Sequence, residues 1–257
     1  MQGTPAAEPS TNSPQGQLPP FPPGQTKALV LSYDDGLAQD LRLLDLLDHH
    51  GLQGTFNLNS GRLGQTAPWL ADKTGHCGRY LGEDEVARVY RHHEIASHSV
   101  NHPDLTRLDD ATIEREIHDD IAALGRLTGR PVTSFASPFG TLDERVVNTL
   151  RRAGVSHARS GGDSGTFALP DDPLRWRPTV HHSRALDVIE QFIRMDTRVP
   201  AVCLIWGHSW EFDLNRAGND WHYADQLLGR LAGRDDIWYA RAGDVSRWLA
   251  ALPARPA

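Results

Sequence analysis

The sequence predicts a parallel α/β protein folded as a closed or nearly closed (β/α) barrel. Three observations point there. Apolar, strand-length runs alternate with amphipathic, helix-length stretches seven or eight times, the pattern of a parallel sheet covered by helices. About 230 residues follow a polar N-terminal segment, a length that suits such a barrel. The chemically suggestive residues fall just after the apolar runs, where barrel enzymes carry their sites. An open doubly wound sheet is the alternative topology.

Residues 1–26 are rich in Pro, Gly, Ser, Thr and Gln and read as a disordered tail, which leaves 27–257 as the folded domain. Ala28 to Tyr33 is an unbroken apolar run, expected of a buried strand. Asp40 to His50 places Leu43, Leu44 and Leu47 on one helical face, and Gly51 stops it. Gly54 to Leu58 is the second strand, Asp84 to His93 a helix, and Glu94 to Ser97 a short strand. Asp110 to Thr128 is the clearest helix, with Ile113, Ile117, Ile121 and Leu124 at helical spacing and Gly129 as its stop. Val132 to Phe135 is a strand, Asp143 to Ala153 a helix, and Val155 to Arg159 a strand. Ser160 to about Ser183 reads as irregular. A helix (Ala185 to Met195), a strand (Ala201 to Trp206), a helix (Trp221 to Leu231), a strand (Ile237 to Ala240) and a helix (Asp244 to Leu252) complete the chain.

Composition narrows the function classes. A net charge of −7 speaks against nucleic acid or an anionic membrane as partner, since both call for a basic footprint. No run is long and apolar enough to span a bilayer. The N-terminus lacks the basic and apolar regions of a signal peptide, so a cytoplasmic location is expected. Cys77 and Cys203 make no disulfide framework, and Cys203 reads as a small core hydrophobe. No protein partner is evident.

Four segments carry chemistry. Ser32-Tyr33-Asp34-Asp35-Gly36 sets two adjacent carboxylates at a strand end, although a plain strand-ending turn has the same composition. Ser97-His98-Ser99-Val100-Asn101-His102 offers two imidazoles four apart, which meet on one face if the segment turns helically and then suit a metal. Accidental His pairs are expected among 13 His, so this segment alone decides nothing. Trp206-Gly207-His208-Ser209-Trp210-Glu211 nearly spells a nucleophile elbow, but Glu211 stands where Gly is needed and no helix begins there. The group of interest is therefore His208. In Phe135-Ala136-Ser137-Pro138-Phe139-Gly140, Pro and Gly let a backbone N–H face a ligand, as an oxyanion site requires. A parallel barrel brings all four to one rim.

In this order, the segments resemble the polysaccharide deacetylases of carbohydrate esterase family 4, also called the NodB homology domain. The first motif, T-F-D-D-G, corresponds to Ser32 to Gly36, the second, H-S/T-x-x-H, to His98 to His102, and the last, Leu-x-His, to Ile205 to His208 with one extra residue. The resemblance runs from Lys27 to about Leu252 and implies a distorted (β/α)7 barrel with one divalent metal, usually zinc, with cobalt and nickel as alternatives. It implies Asp35, His98 and His102 as ligands, Asp34 as base, His208 as acid and a backbone N–H near Phe139 and Gly140 as oxyanion donor. The implied reaction removes acetyl groups from N-acetylated or O-acetylated sugars of a polysaccharide or oligosaccharide.

Two departures stand out. The family's third motif carries an Arg that holds the base, but Ala136 is found there, and Arg159 at the next strand end is the candidate replacement. The fourth motif pairs Asp with Trp, but Arg175 precedes Trp176, so Glu211 or Asp172 would have to support the acid. Trp176, Trp206 and Trp210 are expected to wall the acetyl methyl or a sugar face. Because a fold does not fix a substrate, hydrolysis of small linear or cyclic amides is a rival reading. A weakly active carbohydrate-binding homologue is another.

Overall fold

Nine residues, Lys27–Asp35, form β1 and are buried throughout, as befits a strand with partners on both edges and packing on both faces. The computed structural model describes residues 19–22 and 24–252. After β1 come α1 (Asp40–His49), β2 (Thr55–Leu58), β3 (Thr66–Ala67), α2 (Ala71–Thr74), β4 (Gly78–Arg79), α3 (Glu83–Val89) and β5 (Glu94–Ser97). Next are α4 (Asp110–Thr128), β6 (Ser134–Ala136), α5 (Glu144–Arg152), β7 (His157–Arg159), β8 (Val180–His181) and α6 (Ala185–Arg194). β9 (Ala201–Gly207), α7 (Trp221–Leu231), β10 (Ile237–Ala240) and α8 (Ala242–Ala250) close the series.

The main sheet runs β7-β6-β5-β2-β1-β9-β8, and its pairings are parallel. One stretch of chain joins its two ends. Trp176 bridges to Arg159, while Val180 and His181 pair with Ile205 and Trp206 of β9. The seven strands thus form a distorted barrel with a thin seam between β7 and β8. β10 lies beside the first half of β1, Lys27 to Val30, and β2 beside the second half, Ser32 to Asp35.

Strand alternation sorts the core into two layers. Leu29, Leu31, Tyr33, Cys203 and Ile205 face the helices, in a cluster with Leu43 and Leu47 of α1 and Leu227 of α7. Ala28, Val30, Val202 and Leu204 face the barrel interior with Trp176 and Val245 of α8. The helices follow local rules. α4 begins at Asp109, whose carboxylate accepts the Thr112 N–H at 2.9 Å, and ends at Gly129 with φ 66°. Its face of Ile113, Ile117 and Leu124 is fully buried. Each such side chain contributes roughly 1.5–3 kcal/mol by leaving water, so a charge at Ile117 would undo the docking of α4.

Several elements differ from expectation. The stretch read as irregular after Ser160 contains β8, and the unassigned region before α3 contains the β3–β4 hairpin. Both involve two-residue strands, too short for any periodicity to show. α8 starts at Ala242 rather than Asp244, because Asp244 accepts the Arg241 N–H at 3.0 Å and caps the helix from inside its first turn. Within the stretch read as tail, one described side chain packs on the folded domain. Phe21 is buried, with its ring 5.4 Å from Trp238 and 4.5 Å from Trp248. Residues 1–18 and 23 of the expected tail lie outside the described residues.

Candidate active site

The interior line of β1 continues from Ala28 and Val30 through Ser32 to Asp34 at the rim. The Asp34 carboxylate is 3% exposed and is gripped from two sides. Asn57 of β2 donates from Nδ2 to Oδ1 at 2.8 Å. Arg159, the last residue of β7, donates from Nη2 to both oxygens at 2.5 Å. Burial alone would raise the Asp34 pKa, but the Arg159 charge, helped by His98 and His208, lowers it to about 2. Arg159, the candidate replacement for the Arg absent at Ala136, thus contacts the Asp34 carboxylate directly. Its guanidinium also lies 4.9 Å from the Trp206 ring.

Asp35 would point outward by alternation, but its φ of 81° turns it back to the rim. Its Oδ1 lies 4.0 Å from His98 Nε2 and 3.7 Å from His102 Nε2. The segment carrying these two His is not helical. Ser99 (φ 65°) and His102 (φ 57°) take left-handed conformations, and their rings meet edge to face at 4.7 Å. His98 Nδ1 lies 2.7 Å from the Ala136 carbonyl oxygen, which fixes Nδ1 as the donor and leaves Nε2 with a free lone pair. Burial pushes the His98 pKa down to about 4, so the ring is neutral, the form that binds metal. One oxygen and two nitrogens facing a common point match the donor chemistry of a divalent transition metal. Behind them, buried Asp120 of α4 accepts Ser97 Oγ at 2.6 Å and the His98 N–H at 3.2 Å.

His208 follows β9 directly, with Nε2 3.9 Å from Asp34 Oδ2 and Nδ1 3.4 Å from Glu211 Oε2. Burial would lower its pKa, but Glu211 first, and then Asp35 and Asp34, raise it to about 9. The ring is thus a cation at neutral pH. Burial works against the Glu211 carboxylate as well, yet His181, His182 and His208 hold it far below the ordinary range. Asp172 takes no part. It accepts the Leu174 N–H at 2.9 Å and caps a local turn.

These groups open on one cavity of about 510 Å³. Trp69, Tyr80, Phe139, Trp206 and Trp210 line it together with Asp34, Asp35, His98, His102, Arg159 and His208. Trp210 donates from Nε1 to Asp35 Oδ2 at 3.3 Å, which leaves Oδ1 for the His pair. Phe139 has φ 57°, is 68% exposed, and lies edge-on to His102 at 4.8 Å. Gly140 packs so tightly that a Cβ there would lie 2.2 Å from Gly161 Cα.

Trp176 is a correction. It does not line the cavity but is 2% exposed inside the barrel beside His157, because the seam consumes it as a strand residue. Sequence reasoning also missed Asn57, Trp69, Tyr80 and Asp120. A polar side chain between Phe56 and Leu58 on a buried strand was the available signal for Asn57. Trp69 and Tyr80 reach the site through the hairpin region, which showed no pattern.

The family profile described as polysaccharide deacetylase matches residues 22–158, more than half of the chain. The chain belongs to the polysaccharide deacetylase family. The matched region carries Asp34, Asp35, His98 and His102, whereas Arg159, His208 and Glu211 lie beyond it. Among curated family members, a chitin deacetylase of Pestalotiopsis sp is 30% identical over 146 residues, which are 56% of this chain and 45% of that protein. A chitooligosaccharide deacetylase of Rhizobium leguminosarum bv. phaseoli is 27% identical over 158 residues, 58% of this chain and 62% of that protein. The chain thus spans about half the length of the curated relatives it matches. In fold, a protein from Mycobacterium smegmatis superposes with a TM-score of 0.61 at 15% identity, covering 94% of this chain and 99% of that one. The family 4 carbohydrate esterase of Streptomyces lividans, solved with acetate, gives 0.51 at 17%, covering 83% and 92%.

Proposed function

We propose that this family member is a metal-dependent hydrolase that removes acetyl groups from N-acetylated or O-acetylated sugars. One observation carries the reading. An ionised carboxylate, a cationic imidazole and an Asp-His-His donor set face the same cavity of about 510 Å³. A divalent ion such as zinc, held by Asp35, His98 and His102, would supply Lewis acidity toward the acetyl carbonyl and make water more acidic.

The chain's own residues then divide the proton work. Asp34 takes the proton of the attacking water, with Arg159 and Asn57 fixing its oxygens. An amine leaves poorly as its anion, so His208 protonates the departing nitrogen, and Glu211 keeps that proton available. The backbone N–H of Phe139 is the candidate donor to the developing oxyanion. Trp69, Tyr80, Trp206 and Trp210 offer aromatic faces for a sugar ring and a dry wall for the methyl group.

The test is acetate release by zinc-loaded protein from chitooligosaccharides, peptidoglycan and acetylxylan. Turnover of at least one supports the reading. No release from any of them, with cleavage of small linear or cyclic amides instead, would transfer the same machinery to a different substrate class. Glycan binding with no turnover would leave only a binding protein.

A further inference from the structure

On the far side of His208 from the cavity, three side chains crowd one oxygen. His181 Nε2 lies 2.9 Å from Glu211 Oε2, and His182 Nε2 lies 3.1 Å from the same atom. Two histidines and a glutamate are an established donor set for zinc. In a tetrahedral site with bonds of ~2.1 Å, two ligand atoms sit roughly 3.4 Å apart, close to the separations seen here.

The arrangement is built, and its parts are held independently of one another. His182 is fully buried, its Nδ1 makes no hydrogen bond among the described residues, and its Nε2 has only the Glu211 carboxylate beside it. A buried ring nitrogen without a hydrogen bond is costly, so its place calls for an explanation. It is fixed there from three sides. Its ring stacks on Phe212 at 4.4 Å, and its carbonyl accepts the Tyr223 hydroxyl at 2.6 Å. Gly207 leaves it room, since a Cβ at that position would lie 2.2 Å from His182 Nδ1. His181 Nδ1 lies 2.8 Å from Ser183 Oγ and accepts the Ser183 N–H at 3.4 Å, contacts that fix the orientation of the ring with its Nε2 towards Glu211. The His181 and Glu211 side chains are 16% and 18% exposed, so the cluster is reachable from solvent.

We propose that His181, His182 and Glu211 form a second site for a divalent transition-metal ion, and that filling it inhibits the enzyme. The inhibitory half rests on the reading of His208 as acid. Glu211 Oε2 is also the atom that faces His208 Nδ1 at 3.4 Å. A cation bound at that oxygen would offset the negative charge that faces His208. A filled second site therefore weakens the anionic support of the acid, while the Asp35-His98-His102 site stays loaded.

The experiment begins with zinc stoichiometry. The protein is dialysed against free zinc well above the level that fills the first site, and bound zinc is measured by elemental analysis. Two ions per chain are expected for the wild type and one for His181→Gln, a substitution at a partly exposed position. His98→Ala is expected to lose the other ion. A wild type that never exceeds one ion, or a His181→Gln protein that still binds two, overturns the second site. Activity supplies the other arm. Excess zinc should suppress acetate release from an N-acetylated sugar, yet spare 4-nitrophenyl acetate, whose leaving group needs no proton. Equal suppression of both substrates would overturn the inhibitory half. If the sugar is never deacetylated, the functional reading fails, and the stoichiometry still decides the site.

Discussion

Replacing Arg159 with methionine removes the charge that holds Asp34 and keeps most of the side chain's length. Asp34, 3% exposed, would retain Asn57 as a hydrogen-bond donor. It must then either stay ionised without its cation or take up a proton. Protonation at pH 7 costs about 4 kcal/mol, at ~1.36 kcal/mol for each unit above an ordinary Asp pKa of ~3.9. That agrees with the ~3–5 kcal/mol typical of breaking one side of a buried ion pair. At roughly 2–4 °C per kcal/mol for a chain of this size, Tm should fall by about 10 °C. The pH dependence separates this cause from a packing defect. In the wild type the folded pKa of about 2 lies below the unfolded value, so the contribution is present above pH ~4 and lost only as pH drops towards 2. In the variant the folded value rises above the unfolded one, so its penalty shrinks as pH falls. The gap should narrow by up to about 3 kcal/mol between pH 7 and pH 4.5. Thermal unfolding of both metal-free proteins across that range measures it. Arg159→Lys should recover much of the loss, because a single terminal nitrogen makes both contacts. A Tm gap that is constant with pH would refute the reasoning.

Other substitutions test the remaining roles. His98→Ala should lose the catalytic ion, and full retention by elemental analysis would reject the ligand set. Asp34→Asn should keep the ion but lower kcat by roughly 10²–10⁴-fold, and near-normal turnover would remove Asp34 as base. Glu211→Gln should move the alkaline limb of the kcat/KM profile from near pH 9 down towards ~6.5, since the acid role proposed for His208 requires its protonated form. An unmoved limb would show that Glu211 does not support His208. Asp40, buried on α1, accepts Ser209 Oγ and the Tyr90 hydroxyl, each at 2.5 Å, and burial raises its pKa to about 7. It destabilises the fold as pH climbs from ~4 through 7, so Asp40→Asn should raise Tm more at pH 8 than at pH 5. The opposite trend would contradict that.

Long, continuous patterns were legible in the sequence. The apolar run of β1 and the Ile113-Ile117-Leu124 face of α4 are packing signals repeated over many residues, and they place strand ends within a residue or two. Arg159 was accessible because a strand end in a parallel barrel points at the rim. The His98 segment was harder. Its left-handed Ser99 and His102 are not glycines, so nothing local announces the turn, and the surrounding packing imposes it. Trp176 shows the opposite error. An aromatic beside a loop looks like a binding wall, but a thin barrel seam needed a large interior side chain there. Trp69 and Tyr80 reach the cavity through the hairpin region, where the paired strands are two residues long.

β1 finds its partners far along the chain. β2 lies about 20 residues on, but β9 and β10 lie about 170 and 210 residues away. During synthesis, β1 must therefore wait with one edge bare until about 170 further residues have been made. Such distant pairings fold slowly, and unpaired strand edges recruit other chains. A fragment ending at residue 158, where the family match stops, would contain Asp34, Asp35, His98 and His102 yet could not complete the strand that holds two of them. Its expected fate is association through that edge rather than a small working enzyme.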